Sequence, residues 1–175
     1  FDYEVSARSE VAAEVEEPGA VLVSGRLLAE ISRALPGKPV DVVLEGTRVN
    51  VTCGSSRFTL LTMPVEEYPS LPEMPALAGS VDAEVFAAAI GQVTIAAGRD
   101  ETLPLLTGVK VEINGEKLTL LATDRYRLAM RELSWRPKSP TIERSALVRA
   151  RTLSDVARSL TSAGSVEISL AENAD

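Results

Sequence analysis

Apolar and polar residues alternate along Val109-Lys110-Val111-Glu112-Ile113 and again along Lys117-Leu118-Thr119-Leu120, with Asn114-Gly115 between the two runs. Strict alternation predicts strands with one buried face, and Asn-Gly predicts a two-residue type I′ hairpin turn between them. The same pattern predicts strands over 40–44, 49–52 and 57–61, the first two joined through Glu45-Gly46-Thr47. Pro64, Pro69, Pro72 and Pro75 then follow closely. Proline lacks a ladder N–H and fixes φ, so this stretch reads as an extended connector with a domain boundary near Glu73.

A helical period occupies two other stretches, and they are copies of each other. Residues 22–35 (LVSGRLLAEISRAL) and 147–160 (LVRARTLSDVARSL) are identical at six of fourteen positions. An alternating strand follows each, at 40–44 and 166–170, and a weaker third copy begins at Val81-Asp82-Ala83-Glu84-Val85-Phe86. The spacing of roughly 60 residues is that of a structural repeat whose unit is a strand end, an amphipathic helix and further strands. Leu27, Leu28, Ile31 and Leu35 form one helix face, matched by Leu153, Val156, Ala157 and Leu160, and are predicted to be core. The opposite faces repeat too: Arg26, Glu30 and Arg33 match Arg151, Asp155 and Arg158.

Composition narrows the classes of function. The chain has 175 residues, 45% of them apolar, and a formal net charge of −7. That balance excludes a protein coated in basic surface for nucleic acid. It contains no histidine, which removes Ser-His and Cys-His nucleophiles, His-ligated zinc and His acid–base chemistry. Cys53 is the only cysteine, so no internal disulfide framework exists. No apolar run approaches the ~18 residues of a membrane span. No signal peptide opens the chain, and Phe1-Asp2-Tyr3-Glu4 reads as the interior of something longer. The expectation is a soluble cytoplasmic protein with no metal and no cofactor.

Charge is unevenly spread. Segments 26–38, 81–99 and 149–158 hold seven basic and four acidic residues, leaving eleven basic and 21 acidic residues elsewhere. Positive charge therefore favours the helices and negative charge the strands and connectors, although segment 81–99 is itself net negative. A protein that touches a polyanion on one side only would be built this way.

Three stretches together resemble the bacterial sliding clamp family, the β subunit of DNA polymerase III. Thr62-Met63-Pro64-Val65-Glu66-Glu67-Tyr68-Pro69-Ser70-Leu71-Pro72 resembles its inter-domain connector. Residues 96–101 and 106–109 resemble the helix end and first strand of the middle domain. Ala122-Thr123-Asp124-Arg125-Tyr126-Arg127-Leu128-Ala129 resembles its Ala-Thr-Asp-x-x-Arg-Leu-Ala strand. The match runs along essentially the whole chain, in the family's order. It implies an α+β DNA clamp fold of repeated βαβββ units, with antiparallel sheets outside and amphipathic helices lining the inner face. Residues 1–73 would be the second half of the first domain, 74–80 a connector and 81–175 most of the second domain. Residues 1–5 would be the last strand of the preceding unit.

The resemblance also implies a function and its residues. A full-length homodimeric ring encircles duplex DNA without reading sequence, on the nucleoid, and has no catalytic residues of its own. It tethers the replicative polymerase, the clamp loader, repair polymerases and other proteins through a Gln- and Leu/Phe-bearing peptide. The pocket positions fall on Leu106, Thr123, Arg125, Tyr126, Arg127 and Leu128, with Leu106 and Leu128 as an apolar floor. Position 125 is commonly small in the family. The DNA candidates are Arg26, Arg33, Arg99, Arg149, Arg151 and Arg158, and the subunit-interface candidates are Arg57, Phe58 and Leu60 on an edge strand. Some have a structural alternative: core for Leu106, Leu128 and Phe58, a solvated strand residue for Arg127, and surface ion pairs for Arg33 and Arg158.

Two other classes compete. An enzyme would need a carboxylate pair, but no nucleophile elbow, phosphate loop or metal signature occurs. Asp124 is the best lone acid, and capping a turn is its expected role. A non-catalytic interaction scaffold without a DNA role is the alternative that the net charge favours.

Overall fold

A computed structural model of the chain describes residues 6–70, 73–160 and 164–171. The expected strand at 1–5 lies outside the described residues. Two compact units divide the chain, Phe1–Pro72 and Glu73–Asp175. No helix among the described residues is long and apolar enough to cross a membrane.

In the first unit α1 (Gly25–Ala34) precedes three strands, β1 (Asp41–Glu45), β2 (Arg48–Cys53) and β3 (Ser56–Leu61). They form an antiparallel sheet in the order β1-β2-β3, and Leu22 makes a bridge to Met63. Ser24 caps α1 by accepting the Leu27 N–H. The core is small: Val49, Val51 and Leu60, packed by Val23, Ile31, Leu35 and Phe58. Leu27 and Leu28, expected in the core, are 50% and 40% exposed. The apolar face of α1 is wider than the part these strands cover, so only its Ile31 and Leu35 end is packed.

The second unit begins with β4 (Leu77–Asp82) and α2 (Ala83–Thr94). The connector expected over 74–80 therefore runs into a strand. There follow β5 (Gly108–Asn114), β6 (Lys117–Thr123), β7 (Leu128–Ser134), a two-residue β8 (Arg136–Pro137), β9 (Glu143–Arg149), α3 (Ala150–Ser159) and β10 (Ser165–Ser169). The run β4-α2-β5-β6-β7 is one complete βαβββ unit, and β9-α3-β10 opens the next. The strands form two antiparallel sheets, β10-β4-β8 and β7-β6-β5-β9.

Asp82 caps α2 by accepting the Val85 N–H at 3.0 Å. Ala83, Phe86, Ala89, Ile90 and Val93, at helical spacing, bury the face of α2 that meets the core. Val109, Val111 and Ile113 of β5 and Leu118, Leu120 and Ala122 of β6 supply the alternating inward positions. In α3, Ala150 and Ala157 are buried, whereas Val156, expected in the core, is exposed.

The hairpin turns differ from expectation in kind. Asn114 stays in β5 and pairs with Lys117, so the loop is Gly115-Glu116, and of these only Gly115 has positive φ, at 53°. A positive φ at the first loop residue alone is the signature of type II′, not type I′. Gly46 (59°) and Gly54 (60°) repeat the arrangement in the first unit. The buried Trp135 ring closes the second unit, its Nε1–H donating to Gly115 O at 2.8 Å. Gly79 lies under that ring, and a Cβ there would sit 2.6 Å from it. Gly79→Ala is therefore expected to lower stability by about 1–3 kcal/mol through overpacking. An unchanged denaturant midpoint would contradict this packing.

Candidate functional site

The Ala-Thr-Asp-x-x-Arg-Leu-Ala stretch is not a continuous strand. β6 ends at Thr123, which pairs with Leu128 at the start of β7, and Asp124–Arg127 form a four-residue turn. Asp124 explains why the chain reverses here. Its Oδ1 accepts the N–H groups of Tyr126 (3.1 Å) and Arg127 (3.0 Å), and its Oδ2 accepts Arg127 Nε–H at 2.9 Å. A carboxylate two residues ahead of a free N–H favours a turn over a ladder. Thr123 braces the turn from behind, donating its hydroxyl to Arg127 O at 2.8 Å and accepting the Arg125 N–H at 3.3 Å. Arg125 has φ 81° and is the one non-glycine residue with positive φ among the described residues. Its guanidinium stands 5.9 Å from the Tyr126 ring centroid, within cation–π range.

The facing wall comes from the exit of α2. Gly98 N–H donates to Leu106 O at 2.7 Å, folding 98–106 into a closed loop that ends in the 3₁₀ turn Pro104–Thr107. A Cβ on Gly98 would come within 3.2 Å of that carbonyl oxygen, so the approach suits glycine. Asp100 holds the loop by accepting Thr102 N–H (3.0 Å) and Thr102 Oγ1–H (2.6 Å). Turn and loop together line an open cavity of about 480 Å³. Its apolar side is Ala97, Leu103 and Leu106; its rim carries Arg99, Asp100, Asp124, Arg125, Tyr126 and Arg127.

Both carboxylates are held below the ordinary aspartate range. For Asp100 the main cause is the Thr102 hydroxyl, then the Thr102 N–H, with the Arg125 charge adding to them against partial desolvation. For Asp124 desolvation pushes upward, but the Arg127 and Tyr126 N–H groups and the Arg127 guanidinium together outweigh it. A depressed folded pKa contributes stability above the unfolded value, about 3.9, that is lost as pH falls through the folded one. The turn should accordingly show constant Tyr126 and Arg127 amide protection from pH 7 to 5 and loosen below about pH 4. Loosening confined to pH 5–7 would contradict that assignment.

Four expected pocket residues, Leu106, Arg125, Tyr126 and Arg127, thus line one cavity. Two do not line it. Thr123 is a brace behind the turn, and Leu128 is 63% exposed. The apolar side of this cavity is Leu106 and Leu103 with Ala97. Gly98, Asp100 and Leu103 line the cavity as well, and sequence gives no sign of them as site residues. The loop that closes 98 onto 106 carries no periodic signal.

Arg99, expected on the DNA side, is among the residues that line this cavity. The other basic candidates are exposed on or beside helices. Arg26 pairs with Glu30 at 3.3 Å, Arg33 lies in the last turn of α1, Arg149 ends β9 at the α3 N-cap, and Arg151 opens α3. Arg158 pairs with Asp155. The two helices repeat their charges but not their ion pairs, which are i,i+4 in α1 and i,i+3 in α3. At the expected interface, β3 is an edge strand. Phe58 and Leu60 nonetheless face the core, and Leu60 is buried, because they share the inward parity of the pleat. Arg57, Thr59 and Leu61 take the outward positions.

Helices and antiparallel sheets in βαβββ order define the DNA clamp fold. The family model of the DNA polymerase III beta subunit, N-terminal domain, matches residues 1–72, and that of its central domain matches 80–174. A Beta sliding clamp of Streptomyces coelicolor is 62% identical over 97% of the chain and 45% of its own length. One from Micrococcus luteus is 60% identical over the whole chain and 56% of its own length. The crystal structure of a Pseudomonas aeruginosa sliding clamp bound to griselimycin superposes with a TM-score of 0.80 at 31% identity, over 93% of this chain and 44% of that one. This chain belongs to the DNA polymerase III beta subunit family, the bacterial beta sliding clamps. It spans about half the length of these relatives.

Proposed function

We propose that the chain is the part of a sliding clamp that contributes the end of the first domain and most of the second. Full-length protein would close as a homodimeric ring around duplex DNA, loaded by a clamp loader, and tether the replicative polymerase and repair polymerases. The observation that carries this reading is the family match over both units in their family order. The helix-borne arginines support a sequence-independent contact with phosphate, the exposed backbone of β3 a subunit contact, and the cavity at Asp124–Arg127 a partner peptide. No catalytic role is assigned, because Asp124, the best lone acid, spends its carboxylate on the turn.

Phosphate contacts release counterions, so binding should weaken steeply with salt and ignore base sequence. Replacing Arg26 and Arg151 together by alanine in the full-length protein should reduce the slope of log K against log salt by about 1 per lost contact. An unchanged slope would take both residues off the DNA side, where Arg26 already has Glu30 as a partner. Sequence-independent DNA binding that is absent from wild type altogether would favour the scaffold reading.

A further inference from the structure

We propose that Glu84 holds phosphate off α2, so that the DNA contact is made by α1 and α3 and skips α2. This rests on the reading of the helix faces as the DNA side. When the three helices are aligned on their first residues, one exposed row at i, i+4 and i+7 differs among them. α1 presents Arg26, Glu30 and Arg33 there, and α3 presents Arg151, Asp155 and Arg158. The same positions of α2 hold Glu84, Ala88 and Gly91, all exposed. Both arginines are missing from this row, and the first is replaced by the opposite charge. α2 carries no Lys or Arg anywhere along Ala83–Thr94.

The helix starts differ in the same sense. A helix N-terminus attracts anions through its free N–H groups and its dipole. α1 is capped by the neutral Ser24, and α3 begins with Arg149 as its cap and Arg151 in its first turn. In α2 the cap is Asp82, whose carboxylate accepts the Val85 N–H at 3.0 Å, and Glu84 follows in the first turn. Two carboxylates therefore stand where a phosphate would approach. Among the described residues no cation forms an ion pair with Glu84. Packing does not account for the row either. A Cβ on Gly91 would meet nothing within 4 Å, and glycine weakens a helix interior, so a larger residue would fit there and firm the helix. Every phosphate contact has to be broken and remade as a protein moves along a duplex, and a helix that makes none keeps their number down.

The test measures binding of full-length protein to a fluorescein-labelled DNA duplex by anisotropy across a range of salt. Glu84→Arg should raise the slope of log K against log salt by about 1, the mark of one added phosphate contact, and Gly91→Arg should do the same. Glu84→Gln removes the repulsion without adding a contact. It should tighten binding by about 2- to 5-fold at low salt, the range of an exposed charge interaction, and the gain should shrink at high salt. Glu143→Arg, on the sheet face turned away from α2, makes the same change in net charge and should leave the slope as it is. Gln92→Ala, on the exposed side of α2, should cost no affinity. Wild-type slopes in both Glu84→Arg and Gly91→Arg, with the Arg26/Arg151 pair still lowering the slope, would overturn the proposal and leave the DNA reading intact. Equal gains in Glu84→Arg and Glu143→Arg would reduce the effect to net charge and overturn it as well. A loss of affinity in Gln92→Ala would put α2 in contact with DNA, with the same consequence. No response in any of these variants, the Arg26/Arg151 pair included, would overturn the DNA reading and this inference with it.

Discussion

Leu106→Ala in the full-length protein is expected to weaken binding of a Gln- and Leu/Phe-bearing peptide by about 30-fold or more, the loss typical of a hot-spot side chain. Leu106 is half-buried on the 3₁₀ turn Pro104–Thr107 and stands apart from the buried cluster of α2, β5 and β6. Its truncation removes apolar area from the cavity wall without opening a void in that cluster. Gly98 N–H meets the Leu106 carbonyl, which alanine keeps, so the loop backbone survives. Leu128→Ala should have a much smaller effect, because Leu128 is exposed and does not line the cavity. Peptide anisotropy, with circular dichroism as a folding control, separates the two. Equal losses for both variants would mean that the floor was misassigned, and no loss for Leu106→Ala would remove the cavity as the peptide site.

The second large effect is expected at Asp124. Asp124→Ala leaves the Tyr126 and Arg127 N–H groups without their acceptor and frees the Arg127 guanidinium. The loss of a charged acceptor falls here on the order of one turn rather than on the whole unit. Peptide affinity should drop by about tenfold or more, while the thermal midpoint moves little. Asp124→Asn is the informative partner. Both backbone N–H groups donate to Oδ1, which an amide oxygen reproduces, and only the Arg127 contact with Oδ2 is lost. Asn should therefore keep most of the affinity. If Asn were as damaging as Ala, the ion pair and not the turn would be the determinant.

The strands and helices were legible because burial in them follows a period. Residues 109–113 and 117–120 alternate, and α2 buries Ala83, Phe86, Ala89, Ile90 and Val93 at helical spacing. The parity of β3 is visible too, and it turns Phe58 and Leu60, the expected interface pair, inward. What periodicity could not show is where two non-periodic segments meet. The turn at 124–127 depends on one carboxylate reaching back to two amides, and Arg125 at positive φ contradicts ordinary preference. The cavity depends on the Gly98 to Leu106 closure, which sets Arg99 at its rim. Leu27, Leu28 and Val156 show the converse limit. An amphipathic pattern marks which face of a helix is apolar, but the breadth of the packed surface beneath it decides how much of that face is buried.

The central claim is topological, and retention of the full-length protein on DNA tests it most directly. The protein is loaded with its clamp loader onto nicked circular DNA, and bound protein is measured before and after the circle is linearised. A ring that encircles duplex DNA without gripping its sequence stays on the circle and runs off the cut ends. Equal retention on circular and linear DNA would contradict the account, because it would show attachment by surface contact and not by enclosure.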